Sequence, residues 1–211
     1  MTTPEDITRE LLNRAGTTFA EDAGITLKDT PMPLFQLLVL CMLASKPISA
    51  EIATRAAREL FEAGLRTPEA VLDADRRTMI DAFGRASYAR YDESSATRLT
   101  EIAEAVRDEY NGDLRNLAAA GSENTTKTAK LLQGFTGIGA TGASIFLREV
   151  QAVWPWVRPY FDERARATAK ELGLPADAAA LGALAPRRTA ELAAALVRAS
   201  LDGELRAAVS R

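Results

Sequence analysis

The chain has 211 residues, 47% hydrophobic and 26% charged, with a formal charge of −3 at pH 7. That is enough apolar material to core one large domain or two small ones, and the acidic balance does not advertise a nucleic-acid partner. With no histidine and a single cysteine, Cys41, there is no internal disulfide and no usual ligand set for zinc or an iron–sulfur cluster. No metal or cofactor is expected, and acid–base chemistry falls to carboxylates, Lys, Tyr or water.

Read in chain order, the sequence predicts helices throughout and no alternating strand. The opening "MTTPEDITRE" lacks the basic-then-apolar order of a secretory signal. Within it "TPED" is a helix start: a capping residue, a proline at the first helical position, then an acid. "TPEA" at 67–70 repeats the pattern. Long helices are expected at about 4–14, 31–45, 49–63, 92–110, 139–152, 162–173 and 187–201, and shorter ones within 68–84 and 113–134. Stops fall at Gly64, Asn111-Gly112 and Gly121. "LLVLCMLA" (37–44) is apolar all round, so it predicts a helix buried on every side. Its eight residues fall short of the roughly 20 that cross a membrane. These features predict an all-α, cytoplasmic, monomeric protein with no membrane partner.

One stretch breaks the helical grammar. "LLQGFTGIGATGASIFL" (131–147) carries Gly134, Gly137, Gly139 and Gly142 between two apolar, helix-like runs, although each helical glycine costs about 1 kcal/mol relative to alanine. The economical reading is a tight turn between two helices. Glycines at 137 and 139 allow positive φ and close backbone approach, and Ile138 points inward as an anchor. The N–H groups opening the next helix are then free for a phosphate oxygen. The spacing is apolar–x–x–apolar–x–Gly–apolar–Gly–x–x–x–Ala, met by Leu132, Phe135, Gly137, Ile138, Gly139 and Ala143. The segment from Lys127 to Lys170 holds seven cations against three carboxylates, which reads either as a local basic face or as an ordinary solvated helical surface.

The order of segments resembles the helix–hairpin–helix DNA glycosylase superfamily that includes endonuclease III, over about Leu34 to Leu174. "LFQLLVLCMLAS", "SAEIATRAARELFEAGLRTPEAVLDA", "SYARYDESSATRL", "LLQGFTGIGATGA" and "WPWVRPYFDERARATAKELGL" follow in the family's order. The resemblance implies a two-lobed all-α fold: a six-helix barrel lobe over 33–152 that carries the hairpin, and a second lobe of N- and C-terminal helices over 1–32 and 153–211. It implies double-stranded DNA as partner and hydrolysis of the N-glycosidic bond of a damaged or mispaired base that is flipped out of the duplex.

The same resemblance assigns residues. Asp162 takes the place of the catalytic aspartate, whose charge would stabilise the developing sugar cation. Glu163 is the competing register, and helix capping is an alternative role for Asp162. The position of the lysine used by bifunctional members holds Thr141, which cannot form a Schiff base, so a monofunctional enzyme is implied. Lys46 stands where the family has a glutamine wedge. DNA contacts are expected at Gly137, Ile138, Gly139, Thr141 and Lys46. Tyr88, Tyr91, Trp154, Trp156 and Tyr160 can either stack on a base or belong to the core. Two other readings compete: a catalytically silent hairpin protein that binds DNA, and a helical scaffold that binds none.

Overall fold

The computed structural model describes residues 3–210. It is all-helical, and no strand occurs among the described residues. The α-helices are α1 (Pro4–Ala15), α2 (Phe19–Asp22), α3 (Pro31–Ala44), α4 (Ala50–Glu62), α5 (Pro68–Leu72), α6 (Arg76–Arg85), α7 (Asp92–Tyr110), α8 (Leu114–Ala120), α9 (Thr125–Leu132), α10 (Ala140–Val150), α11 (Glu163–Glu171), α12 (Ala178–Ala183), α13 (Thr189–Leu201) and α14 (Gly203–Val209). Short 3-10 turns lie at Ala89–Tyr91 and Pro155–Val157. Among the described residues no helix is long and apolar enough to cross a membrane.

Local chemistry sets many of these boundaries. Thr3 Oγ1 accepts the Asp6 N–H while Asp6 accepts the Thr3 N–H, a reciprocal box that starts α1. Thr67 Oγ1 accepts the Ala70 N–H and starts α5. Asn111 ends α7 in the left-handed conformation at φ 52°, where a side chain that bonds locally is tolerated.

The chain divides into two compact units, one of Phe19–Phe146 and one of Met1–Thr18 with Leu147–Arg211. In the first, every apolar side chain of α3 from Leu34 to Leu43 is at most 1% exposed. Burying a leucine contributes about 1.5–3 kcal/mol relative to exposing it, so this helix anchors the unit. It packs against α4, α7 and α8, with α6 on α4 and α7, and α5 on α7.

In the second unit α13 packs against both α1 and α11. Its Ala193, Ala194 and Ala195 are fully buried with Leu192 and Leu196; small side chains let the helix backbones approach closely. A Cβ added at Gly182 would lie 2.7 Å from Pro159 Cβ, so that glycine is required by packing.

Candidate nucleic-acid interface and carboxylate cluster

The glycine-rich stretch forms a turn between α9 and α10. Leu132, Phe135, Ile138 and Ala143, the apolar positions of the pattern, are each at most 4% exposed. The Ile138 N–H donates to the Phe135 carbonyl at 3.0 Å, which fixes the turn while its side chain anchors it. Gly137 has φ +86°, and a Cβ there would stand 2.8 Å from Arg98 Cδ; both conformation and space demand glycine.

Gly139 differs from the sequence expectation. Its φ lies outside the left-handed region, and a Cβ added to it meets nothing within 4 Å. Protein packing therefore does not explain the missing side chain. Gly139, Ala140 and Thr141 are exposed, and among the described residues no acceptor takes the N–H groups of Ala140 and Thr141. These are the unpaired donors at the positive end of an eleven-residue helix, a suitable place for an anionic oxygen.

The end of α3 and Arg98 of α7 meet this turn and the start of α10. A Cβ at Gly142 would lie 2.6 Å from Ser45 Oγ, which itself donates to the Cys41 carbonyl at 2.7 Å, so the end of α3 sits against the first turn of α10. Met42 Cγ and Arg98 flank Gly137. Lys46 follows Ser45, and its Nζ lies 5.5 Å from the centroid of the Tyr91 ring, over which Arg90 Cζ also sits at 5.4 Å. Such contacts contribute about 0.5–1 kcal/mol each at exposed sites and leave the cation's charge in place. Lys46, Arg90 and Arg98 have no carboxylate within ion-pair distance among the described residues.

Asp162 lies in the other unit, as the N-cap of α11. Its Oδ1 accepts the Ala165 N–H at 2.9 Å, and its Oδ2 accepts from Arg148 Nη1 at 2.7 Å. The Arg148 and Asp162 side chains are 5% and 11% exposed, and Arg148 Nε also reaches the buried Glu149 at 3.2 Å. Burial pushes the Arg148 guanidinium down, but Glu149 and Asp162 outweigh it and hold it above its ordinary value. The approach to Asp162 is fixed by Gln151, which is wholly buried. Its Nε2 donates to the Arg148 and Tyr160 carbonyls at 2.9 and 2.7 Å, and its Oε1 accepts the Tyr160 N–H at 2.9 Å. Arg158 donates to the Gln151 carbonyl. Glu163, the competing register, is exposed. Among the described residues no group of Cys, Asp and Glu is placed to hold a metal ion.

One sequence expectation narrows, and one open alternative is decided for two residues. The segment from Lys127 to Lys170 does not offer seven free cations, because Arg148 is buried and paired and Arg158 is bound to backbone carbonyls. Of the five aromatic candidates, Tyr88 and Trp154 are core side chains at 2% exposure. Tyr88 shares a hydrogen bond with Ser95 at 3.1 Å, and Trp154 stacks on Trp156 at 5.2 Å between centroids. Sequence reasoning does not find Arg98 or the partnership of Arg90 with Tyr91. The adjacent "RY" at 90–91 is a signal of a basic residue beside an aromatic one, whereas nothing local distinguishes Arg98.

Comparison with known protein families, curated proteins and solved structures gives no match to this chain.

Proposed function

We propose that this chain binds duplex DNA, gripping the phosphate backbone through the turn from Thr136 to Thr141, and that its all-α architecture is the two-lobed fold of the helix–hairpin–helix DNA glycosylases. The observation that carries the binding reading is Gly139: a residue without a side chain, at an exposed helix start, whose missing Cβ faces no protein atom. An outside backbone brought against it would meet the unpaired N–H groups of Ala140 and Thr141. Lys46, Arg90 and Arg98 supply positive potential around that point without carboxylates to cancel it. The fold reading is supported by a central stretch forming one compact unit while both chain ends belong to the other.

The test is fluorescence anisotropy with a labelled duplex across a salt series. Backbone binding gives a log affinity that falls linearly with log salt concentration and depends little on sequence. Salt-independent binding, or none at low salt, contradicts it.

A second reading adds base excision, hydrolysing the bond between a damaged or mispaired base and deoxyribose. It is favoured by Asp162, a rigidly held carboxylate that keeps some exposure. Two protein donors occupy only half of the about four lone-pair sites of a carboxylate, which leaves sites that can face a developing sugar cation. Arg148 works against this role, since a cation at 2.7 Å offsets part of the carboxylate's field. With threonine at position 141 the reaction would use water as nucleophile and leave the strand intact. Duplexes carrying alkylated, deaminated and oxidised bases, assayed for base release, test this reading.

A further inference from the structure

We propose that Lys46, Arg90 and Tyr91 form a second phosphate site beside the turn, taking another backbone phosphate of the same duplex. This inference rests on the DNA-binding reading and extends its footprint. Both cations lie over one ring, at 5.5 and 5.4 Å from its centroid. The ring attracts them but neutralises neither. Two like charges held near one ring repel each other, and an anion brought close to both relieves that repulsion.

The pairing habits of neighbouring arginines sharpen the point. In the same unit Arg76 pairs with Glu93 at 2.6 Å and Arg85 with Glu59 at 2.5 Å. The chain has more acids than bases, 29 against 26, yet among the described residues none lies within ion-pair distance of Lys46 or Arg90. Asp92, next to Tyr91 in sequence, accepts the Glu93 N–H through Oδ1. The pair of cations is thus held in place by an aromatic ring and left with its charge.

Location selects the ligand. Ser45, adjacent to Lys46, packs against Gly142 in the first turn of α10, so the cation pair and the turn's free N–H groups belong to one neighbourhood. A ligand reaching both carries phosphates in series, which is the chemistry of a nucleic-acid backbone rather than of a single phosphate ion.

The test uses the full chain and a labelled 20-base-pair duplex. The neutral pair Lys46→Gln with Arg90→Gln should lower the magnitude of the slope of log affinity against log salt by about 0.9 for each phosphate no longer neutralised. The charge-keeping pair Lys46→Arg with Arg90→Lys should restore the wild-type slope. Tyr91→Leu, which keeps both charges but removes their platform, should weaken binding with the slope retained. A neutral pair that binds with the wild-type slope, while Gly139→Val loses binding, overturns this inference and leaves the turn as the contact. A charge-keeping pair as weak as the neutral one also overturns it. Absence of duplex binding by the wild type overturns both the inference and the reading beneath it.

Discussion

Arg148 Nη1 donates to Asp162 Oδ2 at 2.7 Å, tying the last turn of α10 to the first residue before α11. Both side chains are almost sealed from water, and Glu149 completes the cluster. Removing one member of a buried pair strands the other's charge, a loss of about 3–5 kcal/mol. Arg148→Met strands two carboxylates, whereas Asp162→Asn keeps capping ability and leaves Arg148 facing Glu149. Urea unfolding should therefore show the arginine variant to be the less stable of the two. Equal stabilities would mean that the pair does not organise this region.

The turn makes a second stability prediction. Alanine at Gly137 must adopt a left-handed φ and push Arg98 aside, so a cost of about 1–3 kcal/mol is expected. Alanine at Gly139 meets no protein atom within 4 Å and should change stability by less than about 0.5 kcal/mol. Thermal melts of the two variants check this contrast, and equal losses would refute the geometry described for the turn.

Alkaline pH should destabilise the protein partly through Tyr88. Burial raises its phenol above the ordinary value of 10.0, against a smaller lowering effect of the Ser95 hydrogen bond. Below that value the tyrosine is protonated in both folded and unfolded chains, and its contribution to stability is intact. As pH rises from about 10 through the raised folded value, the unfolded chain releases the proton first and stability falls. Tyr110 is raised by burial as well, so Tyr88→Phe should flatten the alkaline decline without abolishing it. An unchanged decline would exclude Tyr88 as a contributor.

Base excision, the second reading, separates the two carboxylates. Asp162→Asn should abolish base release while Glu163→Gln, altering an exposed side chain, should not. Each 1.4 kcal/mol of lost transition-state stabilisation costs about tenfold in rate. Borohydride should trap no covalent adduct between Thr141 and abasic DNA. Base release by both variants at the wild-type rate would remove the carboxylate mechanism, and loss only in the Glu163 variant would shift the register by one residue.

The helices are legible in the sequence because their signals are local. "TPED" and "TPEA" form reciprocal or single caps at Thr3 and Thr67, and the run around Cys41 forms a helix buried on all sides. The short α2 is not legible, since its four residues carry too little periodicity. The turn at 133–139 is legible, yet the glycines in it and just after it do different work: Gly137 answers to conformation, Gly142 in α10 to Ser45, and Gly139 to no protein atom within 4 Å. Only packing distinguishes them. The Arg148–Asp162 pair joins residues fourteen apart across the connection between α10 and α11, and Arg98 approaches Gly137 from another helix. Sequence spacing has no term for such tertiary contacts.

Duplex binding by Gly139→Val tests the central claim most directly. The position has open space around a built Cβ, so the variant should fold, which a melt within a few degrees of wild type would establish. Its branched side chain would occupy the space assigned to the approaching phosphate backbone and cover the N–H groups of Ala140 and Thr141. The account predicts that the wild type binds duplex DNA with salt-sensitive affinity and that Gly139→Val loses at least tenfold. A folded Gly139→Val protein that binds duplex DNA with wild-type affinity and salt dependence would contradict it.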